Sequence, residues 1–196
     1  LNATDLEVVI RDGNLTFTEN SFDITGAGTI DLDAQDLNSD DETTITFSGN
    51  VTTSNGNITV LADHDVIFTT DANGDSGDVI AGGGSDVRIT ASTGAINHPA
   101  GTGSVNADTG TVLLSSFEGI AASNNVLLTD GANVTFDANG DVFITEADGV
   151  NFSGNTTGND GDINLIVTNG DANVDSVNGV AGLTTAGNGA ISLNAT

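Results

Sequence analysis

Residues 110–152 carry the phrases "GTVLL" (110–114), "NNVLL" (124–128), "ANVTF" (132–136), "GDVFI" (140–144) and "DGVNF" (148–152). Each opens on small or turn-forming residues and continues with apolar residues in short or alternating runs. Successive side chains of a strand face opposite sides, so Val134 and Phe136 are expected on one face and Thr135 on the other. A helix would need apolar residues at i, i+3, i+4 and i+7, and Gly, Asn-Gly or Asp-Gly interrupts every such pattern. The stretch reads as short strands with turns between them.

The same phrase extends in both directions. It appears as "GTIDL" (28–32), "TTITF" (43–47), "GNITVL" (56–61), "HDVIF" (64–68) and "SDVRI" (85–89), and later as "GDINLIV" (161–167) and "GAISL" (189–193). Within 110–152 the phrases return every 8 to 14 residues, mostly every 8, and across the chain similar phrases recur at about 20 to 30. The longer spacing suits one coil of two or three strands. A single coil cannot bury its apolar face, but stacking coils about 4.8 Å apart sets Val on Val and Phe on Phe. The expectation is an all-β chain forming a parallel β-helix, or β-solenoid, of eight or nine coils and about 40 Å long. Phe17, Phe47, Phe68, Phe136, Phe143 and Phe152 fall in such phrases and are read as core. The rival is a pair of antiparallel β-sandwich domains of the bacterial immunoglobulin-like kind, since short strands with frequent turns describe those too. The absence of Trp and Tyr and the density of Gly, Asn and Asp turns weigh against it. No linker or composition shift divides 1–196, so one domain is expected.

Charge narrows the function. Against 28 Asp plus Glu stand only Arg11 and Arg88, for a formal net charge of −26. Nucleic acid is an implausible partner, an anionic membrane surface would repel the chain, and no apolar run approaches the ~20 residues that span a bilayer. Such self-repulsion calls for screening by salt or cations, which suits an exterior milieu. Cysteine and methionine are both absent, so no disulfide or thiolate metal site exists.

The chain starts "LNAT" at Leu1–Thr4 and ends "LNAT" at 193–196, an identity displaced by 192 residues. The expectation is a segment of a longer tandem protein with a unit of about 192 residues, in which "ISLNAT" runs into "DLEVVI".

The candidate site is Asp71-Ala72-Asn73-Gly74-Asp75 and its second copy, Asp137-Ala138-Asn139-Gly140-Asp141. Carboxylate and amide oxygens beside a Gly turn are hard ligands of the kind calcium uses, so Asp71, Asn73, Asp75, Asp137, Asn139 and Asp141 are the candidate calcium ligands. Neither copy continues into a helix-loop-helix calcium pattern, and the competing reading is an ordinary turn with Asn at positive φ. Catalysis finds no constellation. Lys, Trp and Tyr are absent, the two Arg lie 77 positions apart, and His64 and His98 have no zinc or Ser-His spacing. His98 and the single proline, Pro99, are expected to mark a loop leaving the coil.

The "GxIxL" phrasing, as in Gly28-Thr29-Ile30-Asp31-Leu32 and Gly189-Ala190-Ile191-Ser192-Leu193, resembles the β-helical repeat region of filamentous-haemagglutinin-type adhesins. The resemblance covers most of the chain. It implies a right-handed β-helical shaft of a secreted bacterial surface fibre, without enzymatic activity and continued end to end by further coils or copies. The adhesive ligand would be a host or cell-surface receptor or glycan. The alternatives are a calcium-dependent surface-layer or adhesin module and a polysaccharide-degrading β-helix.

Overall fold

Alternation decides which side chains turn inward. In the strand Ile30–Gln35, Ile30, Leu32 and Ala34 are buried while Asp31 is exposed. Ile58–Ala62 and Val87–Ala91 repeat that pattern. The computed structural model describes residues 5–18, 22–36, 42–99 and 103–196, and none of these is helical. The first "LNAT" phrase lies outside the described residues.

Like residues meet across parallel pairs. One inward line runs through Leu6, Ile30, Ile58, Val87, Val112, Val134, Phe152 and Val174. Two residues on, the next line is Val8, Leu32, Val60, Ile89, Leu114, Phe136, Gly154 and Leu183. The third reads Ile10, Ala34, Ala62, Ala91, Ser116, Ala138, Thr156 and Thr185, small residues almost throughout. The chain therefore passes through this ladder eight times. Its steps vary in length: 18 residues separate Thr135 from Ser153, and 29 separate Asn57 from Asp86.

Between returns the chain contributes to two further ladders. In one, Leu15, Ile45, Val66 and Ile96 stack and continue through Ile120 to Val142, Ile163 and Ile191. In the other, Phe22, Val51, Val79, Val105, Thr129, Glu146, Val167 and Ala195 succeed one another. Buried residues from all three ladders form one hydrophobic cluster. Removing each Val, Leu, Ile or Phe from water is worth about 1.5–3 kcal/mol, so the stack supplies the core that no single return could. Antiparallel pairing, which a sandwich requires, is confined among the described residues to the hairpin Ser176–Val177 with Val180–Ala181 and two isolated bridges. The fold is all-β with mainly parallel ladders.

The aromatic residues follow the same rule. Phe17, Phe47 and Phe68 stack with ring centroids 5.4 and 5.3 Å apart. Offset stacking at that separation adds to the area buried. Phe47, Phe68, Phe136 and Phe152 are fully buried. Phe143 corrects the expectation of a core residue: Val142 and Ile144 turn inward in Val142–Glu146, so alternation sends Phe143 out. His98 and Pro99 lie between the strands ending at Asn97 and starting at Ser104, yet the His98 ring turns inward. It is 2% exposed and sits edge-on to Phe68 at 6.4 Å, as the next member of the phenylalanine line. The ring is accommodated because Nδ1–H donates to the Val126 carbonyl at 2.7 Å and Nε2 accepts from the Gly103 N–H at 2.7 Å. Burial, the larger effect, holds its pKa below the usual histidine value against those two bonds.

Candidate functional site

The two copies of the Asp-Ala-Asn-Gly-Asp phrase occupy different places. Asp71–Asp75 forms a loop beyond Phe68, on the way from the second ladder to the third. There Asp71 Oδ1 accepts from the N–H groups of Asn73 at 2.8 Å and Asp75 at 2.9 Å. These donors, Asp75 first, hold the Asp71 carboxyl below the usual carboxylate range. The positive φ of the turn falls on Gly74, at 86°, rather than on an Asn. The second copy spans the corner between the first and second ladders. Asp137 and Ala138 end the strand Leu127–Ala138, and Asp141 precedes Val142. Asp137 Oδ1 accepts from Asn155 Nδ2 at 2.8 Å, and Asp141 Oδ1 from the Asp162 N–H at 2.8 Å. An identical phrase thus serves two different corners, and the spacing between its copies is not a step between equivalent positions.

The Asp141 bond belongs to a rule that explains much of the acidic and amide content. Asp5 accepts from the Thr29 N–H at 3.0 Å, Asn14 from Thr44 at 2.8 Å, Asn50 from Asp78 at 3.0 Å and Asn57 from Asp86 at 2.9 Å. Asp65 accepts from Ala95 at 2.7 Å, Asp78 from Ser104 at 2.8 Å, Asp86 from Thr111 at 2.9 Å and Asp162 from Ala190 at 2.7 Å. Every acceptor immediately precedes an inward apolar residue, and every donor immediately precedes that residue's partner one row on. A backbone N–H at a corner, where the ladder has just begun, is satisfied by a side chain from the row below. The turn residue and the strand that follows it are therefore one structural phrase. Charge-assisted bonds of this kind are stronger than neutral ones, which favours Asp as well as Asn.

One carboxylate breaks the pattern. Glu146 is fully buried at an inward position, between Thr129 and Val167 in the third ladder. Its Oε2 accepts from Thr129 Oγ1 at 2.5 Å and its Oε1 from the Gly131 N–H at 3.0 Å. Burial pushes its pKa up to about 7 against those bonds, with the Asp130 charge adding to the rise. Asp130 is pushed up as well, by burial first and then by Asp148 and Asp108, while Asn106 Nδ2 donates to it at 2.9 Å. Among the described residues, Asp130, Glu146 and Asp148 are the one trio of potential metal ligands whose oxygens lie within 4.8 Å of one another. None of the six candidate calcium ligands belongs to it. The signal for Glu146 was present in the alternation of Val142, Ile144 and Glu146, which places a carboxylate where an apolar residue is expected.

Arg88 lines a shallow cleft with Leu113, Asp137, Asn178 and Val180, where the hairpin Ser176–Val177 and Val180–Ala181 lies over the outward face of the first ladder. His64 lies 3.7 Å from Glu42 and 3.4 Å from Asp65. Among the described residues no helix is long and apolar enough to cross a membrane. In comparison with known proteins, no family model, curated protein or solved structure matches this chain.

Proposed function

We propose that the three ladders wind as a right-handed parallel β-solenoid and that the segment is a non-enzymatic shaft of a secreted bacterial surface fibre or adhesin. The observation that carries the reading is row-on-row stacking: eight passes through one ladder with apolar residues in register along the described chain. Stiffness follows, because each row is held to the next by backbone bonds, a shared interior and corner carboxylates. The composition supports an exterior setting: no cysteine, no methionine and a net charge of −26 that salt must screen. Carboxylates committed to corner N–H groups are better suited to holding rows together than to acid-base chemistry. The similarity to filamentous-haemagglutinin-type shafts belongs to this proposal and rests on the phrasing of the sequence.

Electron microscopy and small-angle scattering of the protein test the reading. A rod, or filaments of rods about 40 Å in repeat, is the expected result. A near-spherical monomer contradicts it. Product release from acidic glycans would overturn the non-enzymatic assignment. A second reading, a calcium-dependent surface module, draws on the trio Asp130, Glu146 and Asp148. Melting with calcium and with chelator separates the two, since an ion that binds only the folded chain raises its melting temperature. The shaft reading expects the two curves to coincide.

A further inference from the structure

The outward face of the first ladder carries one feature that stacking does not require. Its outward line runs through Thr59, Arg88, Leu113, Thr135 and Ser153. In the row beyond Ser153, Val174 pairs with Phe152 and Leu183 with Gly154, so a single residue would complete the strand. Residues 175–182 stand there instead, with the hairpin Ser176–Val177 and Val180–Ala181 among them. Asn178 and Gly179 at its tip both have positive φ, 50° and 83°, as a tight two-residue hairpin turn needs. The hairpin folds back over earlier rows. Ser153 Oγ donates to the Val177 carbonyl at 3.4 Å, and Ser153 and Thr135 are buried although they point outward.

The covering stops short of Arg88 and leaves a trough. Arg88, Leu113 and Asn178 are common to two adjoining clefts, and Ser115 and Asp137 are common to the second of these and a third, which reaches Phe117. Asn57 begins the trough, one position before the level of Ile58, Val87 and Val112. Phe117 ends it, one position past the level of Ala62, Ala91 and Ser116, so it extends for about 20 Å along the strands. The three clefts hold about 400, 240 and 260 Å³. Together they reach the size of ligand sites, roughly 300–1,000 Å³.

The lining selects the occupant. Arg11 is engaged, its Nη1 donating to Gln35 at 2.7 Å, whereas Arg88 makes no hydrogen bond or ion pair with another described residue. Phe117 is 58% exposed, more than any other large apolar side chain among the described residues, although rows lie on both sides of it. An unpaired guanidinium, amide and carboxylate groups and one bare aromatic ring along a trough suit a sugar chain, whose hydroxyls donate and accept and whose C–H faces lie against aromatic rings. A polyanion is repelled, because Asp86 and Asp137 line the same trough and the chain carries −26. An extended peptide gains no strand pairing there, since the backbone groups of the face are already paired between rows.

We propose that this trough binds a linear, uncharged oligosaccharide. Phe117 stacks on one sugar ring, Arg88 and Asn178 donate to oxygens further along the chain, and Asp137 accepts from a hydroxyl. The site needs only the paired rows and the hairpin, so it goes beyond the shaft reading and does not depend on it. A near-spherical particle that binds the sugar would sink the shaft and leave the trough standing.

Isothermal titration of the protein with cellohexaose, maltohexaose, mannohexaose and chitohexaose, and with hexagalacturonate as the acidic chain, tests the proposal. Saturable binding of at least one neutral hexasaccharide is expected, tighter than that of its disaccharide. Arg88→Gln and Phe117→Ala, both at exposed positions, should each weaken it roughly tenfold without moving the melting temperature. Replacing 175–182 by one serine should abolish it, and Arg11→Gln, outside the trough, should leave it unchanged. No binding of any neutral chain, binding of hexagalacturonate alone, or binding indifferent to both Arg88→Gln and Phe117→Ala would overturn the proposal.

Discussion

Glu146 is the residue at which pH and packing meet. Its carboxyl titrates near 7 when folded against an ordinary value of 4.5. Between those values the folded chain binds the extra proton, so this group stabilises the fold fully below about pH 4.5 and that contribution is lost as pH rises to about 7. Glu146→Gln keeps the shape and the partners Thr129 and Gly131 but removes the charge. Relative to the parent, the variant is expected to gain on the order of 3 kcal/mol at pH 8 and almost nothing at pH 4, as read from denaturant melts at the two pH values. Asp130 shifts in the same direction, so a smaller slope should remain. Gly154 is a second decisive residue. A Cβ there would lie 2.5 Å from the Phe136 ring, which fills the position one row before it. Gly154→Ala is expected to cost about 1–3 kcal/mol by overpacking, and Phe136→Leu in the same chain should recover part of that loss. Equal cost in both backgrounds would show that the two sites do not touch.

At the scale of elements, a strand here is a short inward run introduced by a corner acceptor and closed by a small residue. The phrases Ile58-Thr59-Val60-Leu61-Ala62, after Asn57, and Val87-Arg88-Ile89-Thr90-Ala91, after Asp86, obey this form, while Ile30-Asp31-Leu32-Asp33-Ala34 closes the same way but follows Thr29, a corner donor. Strand positions and inward faces were therefore legible, because alternation depends only on the residues themselves. Alternation did not carry strand direction, since parallel and antiparallel ladders share it; the recurrence at about 20 to 30 residues was what pointed to parallel rows. The corner rule also escaped the sequence reading: an Asp that bonds a neighbouring row and an Asp that faces solvent look alike until rows are paired. Asp78→Ala tests it. Asp78 Oδ1 accepts from the Ser104 N–H at 2.8 Å and from Ser104 Oγ at 2.9 Å, so the substitution leaves a corner donor without its partner. The expected loss is about 1–3 kcal/mol in chemical denaturation. Asp75→Ala, on the exposed loop, should change stability by less than about 0.5 kcal/mol. Phe47→Ala removes the middle ring of three and should cost about 3–5 kcal/mol.

For the whole molecule, repetition was easy to see and its period was not. Unequal steps along one ladder, such as the short one from Val134 to Phe152 and the long one from Ile58 to Val87, blur any fixed repeat, because turns lengthen without disturbing the rows they join. His98 shows the same tolerance from the other side: a polar ring takes a place in the phenylalanine line once both nitrogens are bonded. The two copies of the Asp-Ala-Asn-Gly-Asp phrase lie at unequal places in the rows, and only pairing reveals this. The stacking of rows is the claim on which shaft and corner rule both stand. It is tested most directly by distances along one outward line, Val9, Asp33, Leu61, Thr90, Ser115, Asp137, Asn155 and Thr184. In the cysteine-free chain, a spin label at Val9→Cys is paired in turn with one at Ser115→Cys, Asp137→Cys, Asn155→Cys or Thr184→Cys, and the separation is read by pulsed electron resonance. The account predicts a regular climb of about 4.8 Å per row, from about 19 Å to about 34 Å. Separations that alternate, or stay flat as row number rises, would contradict it.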